Sequence, residues 1–356
     1  MIKYFFSILA TCFIFFSCTK NKGYEISYHT LNGDLINDSI HTRMPGEIFI
    51  LDDHIAWHDP FNSENFIHYI DKHTQKEVAA IGSIGQGPDE FSTPILSKTY
   101  DNNMLIFELS GKKQAFFITE SIIKKKQDPY FFLEEIENEK INTHTGKCNI
   151  DNNTIITFSP GDKDSMFTLS YSNSPTSFKF GRFFLHDKTR DAYSIYQGFI
   201  GYNEQKNIFI YANRILSYIS IYEYSKQNKT LSLLKEVIED YKYNNINYKQ
   251  LTIDNSKRGC MGLALSKDFI VMQKRDYNSD NTNENDVSFN SFDKLPKTVF
   301  LYDYDGNLRH IVNLGVPILR IAANTKDNSL YIIAVDPEYV IMKYNLNSLN
   351  KNQTNS

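Results

Sequence analysis

IFIYAN, residues 208–213, is a short unbroken run of β-forming side chains, and runs of its kind recur along the chain. IFILDD begins at Ile48, MLIFEL at Met104, TIITFS at Thr154, FIVMQK at Phe269 and LYIIAV at Leu330, so successive runs start 56, 50, 54, 61 and 61 residues apart. Asp or Asn stands one or two residues before five of the six runs, Glu47 before the other, and a polar turn follows them. Isoleucine, valine, tyrosine and phenylalanine gathered in four to six positions between turn formers read as strands. A period of this length, built from strands with no helical pattern between them, predicts propeller blades, each a four-stranded sheet packed on its neighbours around a channel. We read the six runs as the inner strands of six blades.

A second unit follows several runs. FIHYIDKHTQKEVAAIG (66–82) and VFLYDYDGNLRHIVNLG (299–315) each place apolar residues about a polar turn, with Asp71 to Gly82 and Tyr304 to Gly315 both 11 residues apart. Asp305-Gly306-Asn307 is a hairpin turn, because glycine tolerates the positive φ such turns need. Residues 217–237 and 339–349 repeat the unit, so the outer half of each blade is expected to be an antiparallel hairpin. Positions 47–346 divide into six blades of 50 residues or seven of about 43, and only six runs are found. Tyr24 to Leu35 is expected to give a strand to the last blade and close the ring, removing exposed edges. Helical signals are sparse. Pro129 splits the charged stretch from Ser121 to Glu139, and Leu231 to Tyr243 reads equally as amphipathic helix or strand. Asp276 to Asp286 is a polar loop and 347–356 a polar tail.

Composition narrows the function classes. Hydrophobic residues at 41% and charged residues at 22% belong to a globular chain with a sizeable core. Lys and Arg number 38 against 42 Asp and Glu, a net charge of −4, so no basic field for nucleic acid exists. Phe and Tyr are plentiful, 26 and 23, beside a single Trp. Inter-blade packing is the default use of such rings, and tyrosine platforms for sugars or peptides the sharper one.

The N-terminus has the three regions of an export signal: Lys3, an uncharged run from Tyr4 to Phe16, and Ser17-Cys18 before a polar turn at Thr19. The run is shorter than the roughly 20 residues a membrane span needs. Ser17-Cys18 resembles the lipobox of bacterial lipoproteins, which implies acylation of Cys18 and a domain tethered to a membrane face by acyl chains. The expected organisation is a signal peptide over 1–17, a tether over 18–23, the propeller over 24–346 and the tail. The expected location is the cell envelope, at the outer membrane facing the periplasm. Cys148 and Cys260 then remain, to pair or to stay as buried thiols.

IGSIGQGPDEF (81–91) resembles the G-x-x-G-x-G-P-x-E-F signature of TolB-like six-bladed β-propeller lipoproteins of bacteria, matching at Gly82, Gly85, Gly87, Pro88, Glu90 and Phe91. VFLYDYDGNL and the stretch 318–346 are similar to that family's closing repeat. The resemblance implies an all-β, six-bladed propeller closed by an N-terminal strand, and an envelope location; it carries over no catalytic residues. Read physically, the glycines let the backbone turn sharply and approach a neighbouring strand, Pro88 fixes the exit, and Glu90 caps amides of the loop. A ligand-binding loop is the alternative.

No nucleophile elbow, metalloprotease helix or calcium loop is present in the sequence, and no cofactor is expected. Asp52, Asp53, His54, His58 and Asp59 form the nearest metal-like cluster, but on one extended strand His54 and His58 would stand about 13 Å apart. Asn278 to Asp286 is acidic without the ordered alternation of a calcium loop. Two function classes therefore stand. The first is a tethered envelope module that binds a glycan, a peptide or an envelope protein. The second is an envelope hydrolase or lyase assembled from loops at one propeller mouth.

Overall fold

The computed structural model describes residues 25–350 apart from 109–112, 134–145, 161–163, 173, 184–191, 239–258, 277–291 and 293–294. Apart from two N-terminal strands and a short parallel pair in the linker after the first blade, its strands fall, in chain order, into six antiparallel sheets. Blade 1 comprises Ile48–Ile50, His54–His58, Ile67–Asp71 and Glu77–Ile81; blade 2, Pro94–Lys98, Met104–Glu108, Gln114–Phe117 and Tyr130–Phe132. Blade 3 comprises Gly146–Asp151, Thr154–Phe158, Phe167–Tyr171 and Ser174–Phe180; blade 4, Gly198–Asn203, Ile208–Asn213, Tyr218–Ser225 and Thr230–Ile238. Blade 5 has Gly262–Leu265, Ile270–Gln273, Thr298–Tyr302 and Leu308–Asn313; blade 6 has Ile318–Ala323, Ser329–Val335 and Tyr339–Asn345. The chain is a six-bladed β-propeller, and among the described residues helix is confined to three short segments. First strands pack on first strands from blade 2 round to blade 1, so they lie innermost.

Five of the six runs expected to be inner strands are therefore second strands. Only Ile48–Ile50 is a first strand, and its blade's second strand is His54–His58. Burial explains the displacement. A second strand is covered on both faces: Ile208, Ile210 and Ala212 face blade 5, while Phe209 and Tyr211 face blade 3. Such a strand has no polar face, so it reads as a continuous apolar run. First strands such as Gly146–Asp151 and Gly198–Asn203 stay half-buried along the channel and give a weaker signal.

The core is a set of seams between blades. Among the described residues, hydrophobic clusters fill the seams between blades 1 and 2, 3 and 4, 4 and 5, 5 and 6, and 6 and 1. Aromatic rings dominate the seam of blades 3 and 4, where Phe158, Phe167, Phe180, Phe209 and Tyr211 meet at centroid distances of 5.1 to 5.8 Å. Polar contacts mark the described part of the seam of blades 2 and 3: Ser97 Oγ donates to the Lys147 carbonyl at 3.1 Å, and the Lys147 ammonium lies 4.9 Å from the Phe107 ring.

Closure uses two N-terminal strands rather than one. Asp34–Asn37 pairs antiparallel with Tyr339–Asn345 and completes blade 6, whereas Ser27–Thr30 pairs parallel with Leu308–Asn313 and adds a fifth strand to blade 5. The expected single strand Tyr24 to Leu35 is broken by Asn32-Gly33, where the chain passes so close to Tyr344 that a Cβ on Gly33 would lie 2.5 Å from its ring. The ambiguous stretch from Leu231 opens as strand, within Thr230–Ile238, and the rest lies outside the described residues. Ser121 to Glu139 contributes the end of the short helix Thr119–Ile123 and the strand Tyr130–Phe132. Cys18 and the segment Asn278 to Asp286 lie outside the described residues, as do 351–356 at the end of the tail.

Candidate functional site

Antiparallel order puts the turns between first and second strands, and between third and fourth, at one end of the ring. Blade-to-blade linkers and the turns between second and third strands occupy the other end. The glycine-rich peptide is the linker from blade 1 to blade 2. Gly82 adopts φ +95° and packs against the Phe66 ring, which a Cβ would approach to 2.6 Å. Ser83–Ile84 and Glu90–Phe91 then pair in parallel. Pro88 sits at the second position of a turn closed by Glu90 N–H on the Gly87 carbonyl at 3.3 Å. Glu90 folds its carboxylate back, so that Oε2 accepts from Gly87 N–H at 2.8 Å and lies where a Cβ on Gly85 would stand at 1.9 Å. Lys113 of blade 2 donates to the Gly87 and Glu90 carbonyls at 2.8 and 2.6 Å. Phe91 is buried among Phe66, Phe117 and Phe132, with centroids 5.8 to 6.4 Å away. In this geometry the peptide's polar groups turn onto one another and its aromatic residue wedges two blades together.

Charged groups gather where the first turns of the blades converge on the channel. Lys98 Nζ donates to the Ile50 carbonyl at 2.8 Å and Lys72 Nζ to the Asp52 carbonyl at 2.7 Å. Burial pushes the Lys72 ammonium down to about 8 and lowers that of Lys98. Asp52 takes Lys326 of blade 6 at 2.5 Å and Asn102 of blade 2 at 3.0 Å, while Thr325 donates to Glu204 of blade 4. This mouth is laced from blade to blade by its own side chains. At the opposite end Glu47 meets the His58 ring at 3.3 Å.

The metal-like cluster disperses. His54–His58 is a strand, with His54 opposite Asp71 and His58 against Glu47, and Asp59 accepts from Thr42 at 2.5 Å and from the Phe61 amide at 3.0 Å. Among the described residues no three His, Cys, Asp or Glu side chains converge as metal ligands. Cys148 and Cys260 are free thiols, both pushed up to about 12 by burial.

A groove of about 760 Å³ opens at the same end as the laced mouth, between the turns of blades 2, 3 and 4. This is within the range of ligand sites. Tyr100, in the first turn of blade 2, exposes 52% of its surface beside it, and Phe178 of blade 3 exposes 42%. Asp151-Asn152-Asn153 turns because the Asp151 carboxylate accepts the Asn153 amide at 2.9 Å, and Ser172 Oγ donates to the Asn153 side-chain oxygen at 3.0 Å. Tyr171 donates its hydroxyl to the Lys229 carbonyl of blade 4, and the Lys229 ammonium lies 5.6 Å from the Tyr171 ring centroid. Lys229 takes φ 53°, closing the facing hairpin of blade 4. Burial raises the hydroxyls of Tyr171 and Tyr224 above the ordinary tyrosine value. The groove thus combines exposed rings with amides and hydroxyls fixed by local hydrogen bonds. No local motif marks it, because its walls come from three blades; the one trace in sequence is the repeated Asp-Asn-Asn at 101–103 and 151–153.

No protein-family profile matches the chain, and no curated protein resembles it in sequence. Solved structures resemble it in shape. A member of the DUF4221 family from Bacteroides vulgatus aligns with 91% of this chain and 98% of its own, at 9% identity and a TM-score of 0.51. A gluconolactonase from Xanthomonas campestris aligns over 87% and 88%, at 6% identity and 0.51. What they share with this chain is the fold.

Proposed function

We propose that the protein is a binding module of the cell envelope, tethered by a lipid on Cys18, and that it belongs with TolB-like propeller lipoproteins. The observation that carries the binding reading is the groove between blades 2, 3 and 4. Its rings are exposed, its amides and hydroxyls are held in position before any ligand arrives, and the turns that bear them stand on a closed ring. Binding sites favour loops held by a rigid scaffold. Lys3, the uncharged run to Phe16 and Ser17-Cys18 support the tether.

Two measurements test the reading. Mass spectrometry of the mature protein is expected to find acyl chains on Cys18, and Cys18→Ala to move the folded protein from the membrane fraction to the soluble one. A free N-terminus at another residue would overturn the tether. A thermal-shift screen of the full chain against envelope glycans, peptides and divalent metals is expected to give a saturable rise in Tm, since a ligand bound only by the folded state stabilises it, by about 2.7 kcal/mol at a hundredfold excess over Kd. Turnover of a stabilising ligand would replace the module with an envelope hydrolase or lyase.

A further inference from the structure

We infer that the groove recognises a neutral oligosaccharide; this rests on the binding-module reading and names its ligand class. A pyranose ring has an apolar C–H face and a rim of hydroxyls, each of which both donates and accepts. The groove offers partners for both. Tyr100 and Phe178, about half exposed, give bare aromatic surface to C–H faces. Asn152, Asn153 and Asn228 bring amides, which donate and accept within one side chain, and Ser174, Thr176 and Ser177 bring hydroxyls, which do the same. That mixed polarity fits hydroxyls and fits an anion poorly. A phosphate or carboxylate needs converging donors and cations, yet of the two lysines at the groove Lys229 is turned onto the Tyr171 ring, which leaves Lys226 to offset the Asp151 carboxylate that lines the groove with it.

A peptide adding to the sheet fits less well. The outer strand of blade 3 is the edge at the groove, and such addition needs its main-chain amides. The strand opens Ser174-Pro175, where proline has no N–H, and the next amide, that of Thr176, is taken by Ser174 Oγ at 3.2 Å. Recognition at this end of the strand therefore passes through side chains.

The test is calorimetric titration of the full chain in detergent micelles with maltohexaose, cellohexaose, mannohexaose and chitohexaose, beside inorganic phosphate, hexagalacturonate and a set of extended hexapeptides. Saturable binding of at least one neutral hexaose is expected. Tyr100→Ala and Phe178→Ala should each weaken it tenfold or more while leaving Tm unchanged, and Tyr100→Phe should keep it within about threefold, because the ring face is what counts. Neutral sugars that bind equally well to both alanine variants would overturn the site. Preference for phosphate, hexagalacturonate or a peptide, lost in Tyr100→Ala, would overturn the ligand class and leave the binding module standing. Failure of every probe to bind would remove both.

Discussion

Glu90 occupies the space that two glycines leave open, and its carboxylate answers an amide that the turn would otherwise leave bare. Glu90→Ala removes the acceptor of the Gly87 N–H, and the expected cost is about 1 kcal/mol of stability, read from the denaturation midpoint. Gly85→Ala puts a methyl where Oε2 lies, so it should cost more alone than in the Glu90→Ala background. This coupling is the sharper test, because two independent residues would show additive losses. The hydrogen bond and the steric fit are matters of the folded loop. Its glycines, proline and glutamate were legible in the sequence, while the partner Lys113, 23 residues beyond Glu90, was not, since nothing local joins them.

Among elements, the N-terminal strands carry the most weight for their length. Removing residues 25–38 would strip Asp34–Asn37 from blade 6 and Ser27–Thr30 from blade 5, leaving two outer strands with open edges. Loss of a sharp melt, or aggregation on warming, is expected of that deletion; a normal cooperative melt would refute the closure role. The same seam predicts a pH response. His310, opposite Ser27 and bonded to its Oγ at 2.7 Å, is pushed from its usual 6.5 to about 4, by burial first and then by the neighbouring His29 and Arg309. A folded-state value below the unfolded one means that the unfolded chain binds the proton first. The stability that neutral His310 contributes is therefore complete above pH 6.5 and is lost as the pH falls from there toward 4. The acid-side loss should be smaller in His310→Gln, compared with wild type by denaturant midpoints at pH 7 and 4.5. Equal losses would remove His310 as a source.

At the scale of the whole molecule, each blade is stabilised by two neighbours and the ring has no free end. Trp57, the chain's single tryptophan, lies in the seam of blades 6 and 1, so its fluorescence reports that seam while far-ultraviolet dichroism reports every blade. Phe167 is buried in the seam of blades 3 and 4. Phe167→Ala is expected to cost roughly 3–5 kcal/mol and to lower both midpoints together. A Trp57 midpoint that stayed at its wild-type value would show that the blades unfold separately.

The sequence by itself determined the number of blades: in five of them the second strand, buried on both faces, reads as a mostly apolar run, and in blade 1 the first strand supplies the run. It also determined the hairpin at Asp305-Gly306-Asn307, where Gly306 takes φ +81°. Which strand of each blade those runs form was decided only by tertiary structure: the inner strands border a channel, and their half-buried faces blur the pattern. Tertiary structure also decided that 25–38 serves two blades, since pairing with Leu308–Asn313 and with Tyr339–Asn345 depends on how the ring brings its ends together. The groove belongs to the same class. Tyr100, Asp151, Tyr171 and Lys229 lie on turns and strand ends of three blades, and only the packing of one blade on the next makes neighbours of side chains up to 129 positions apart.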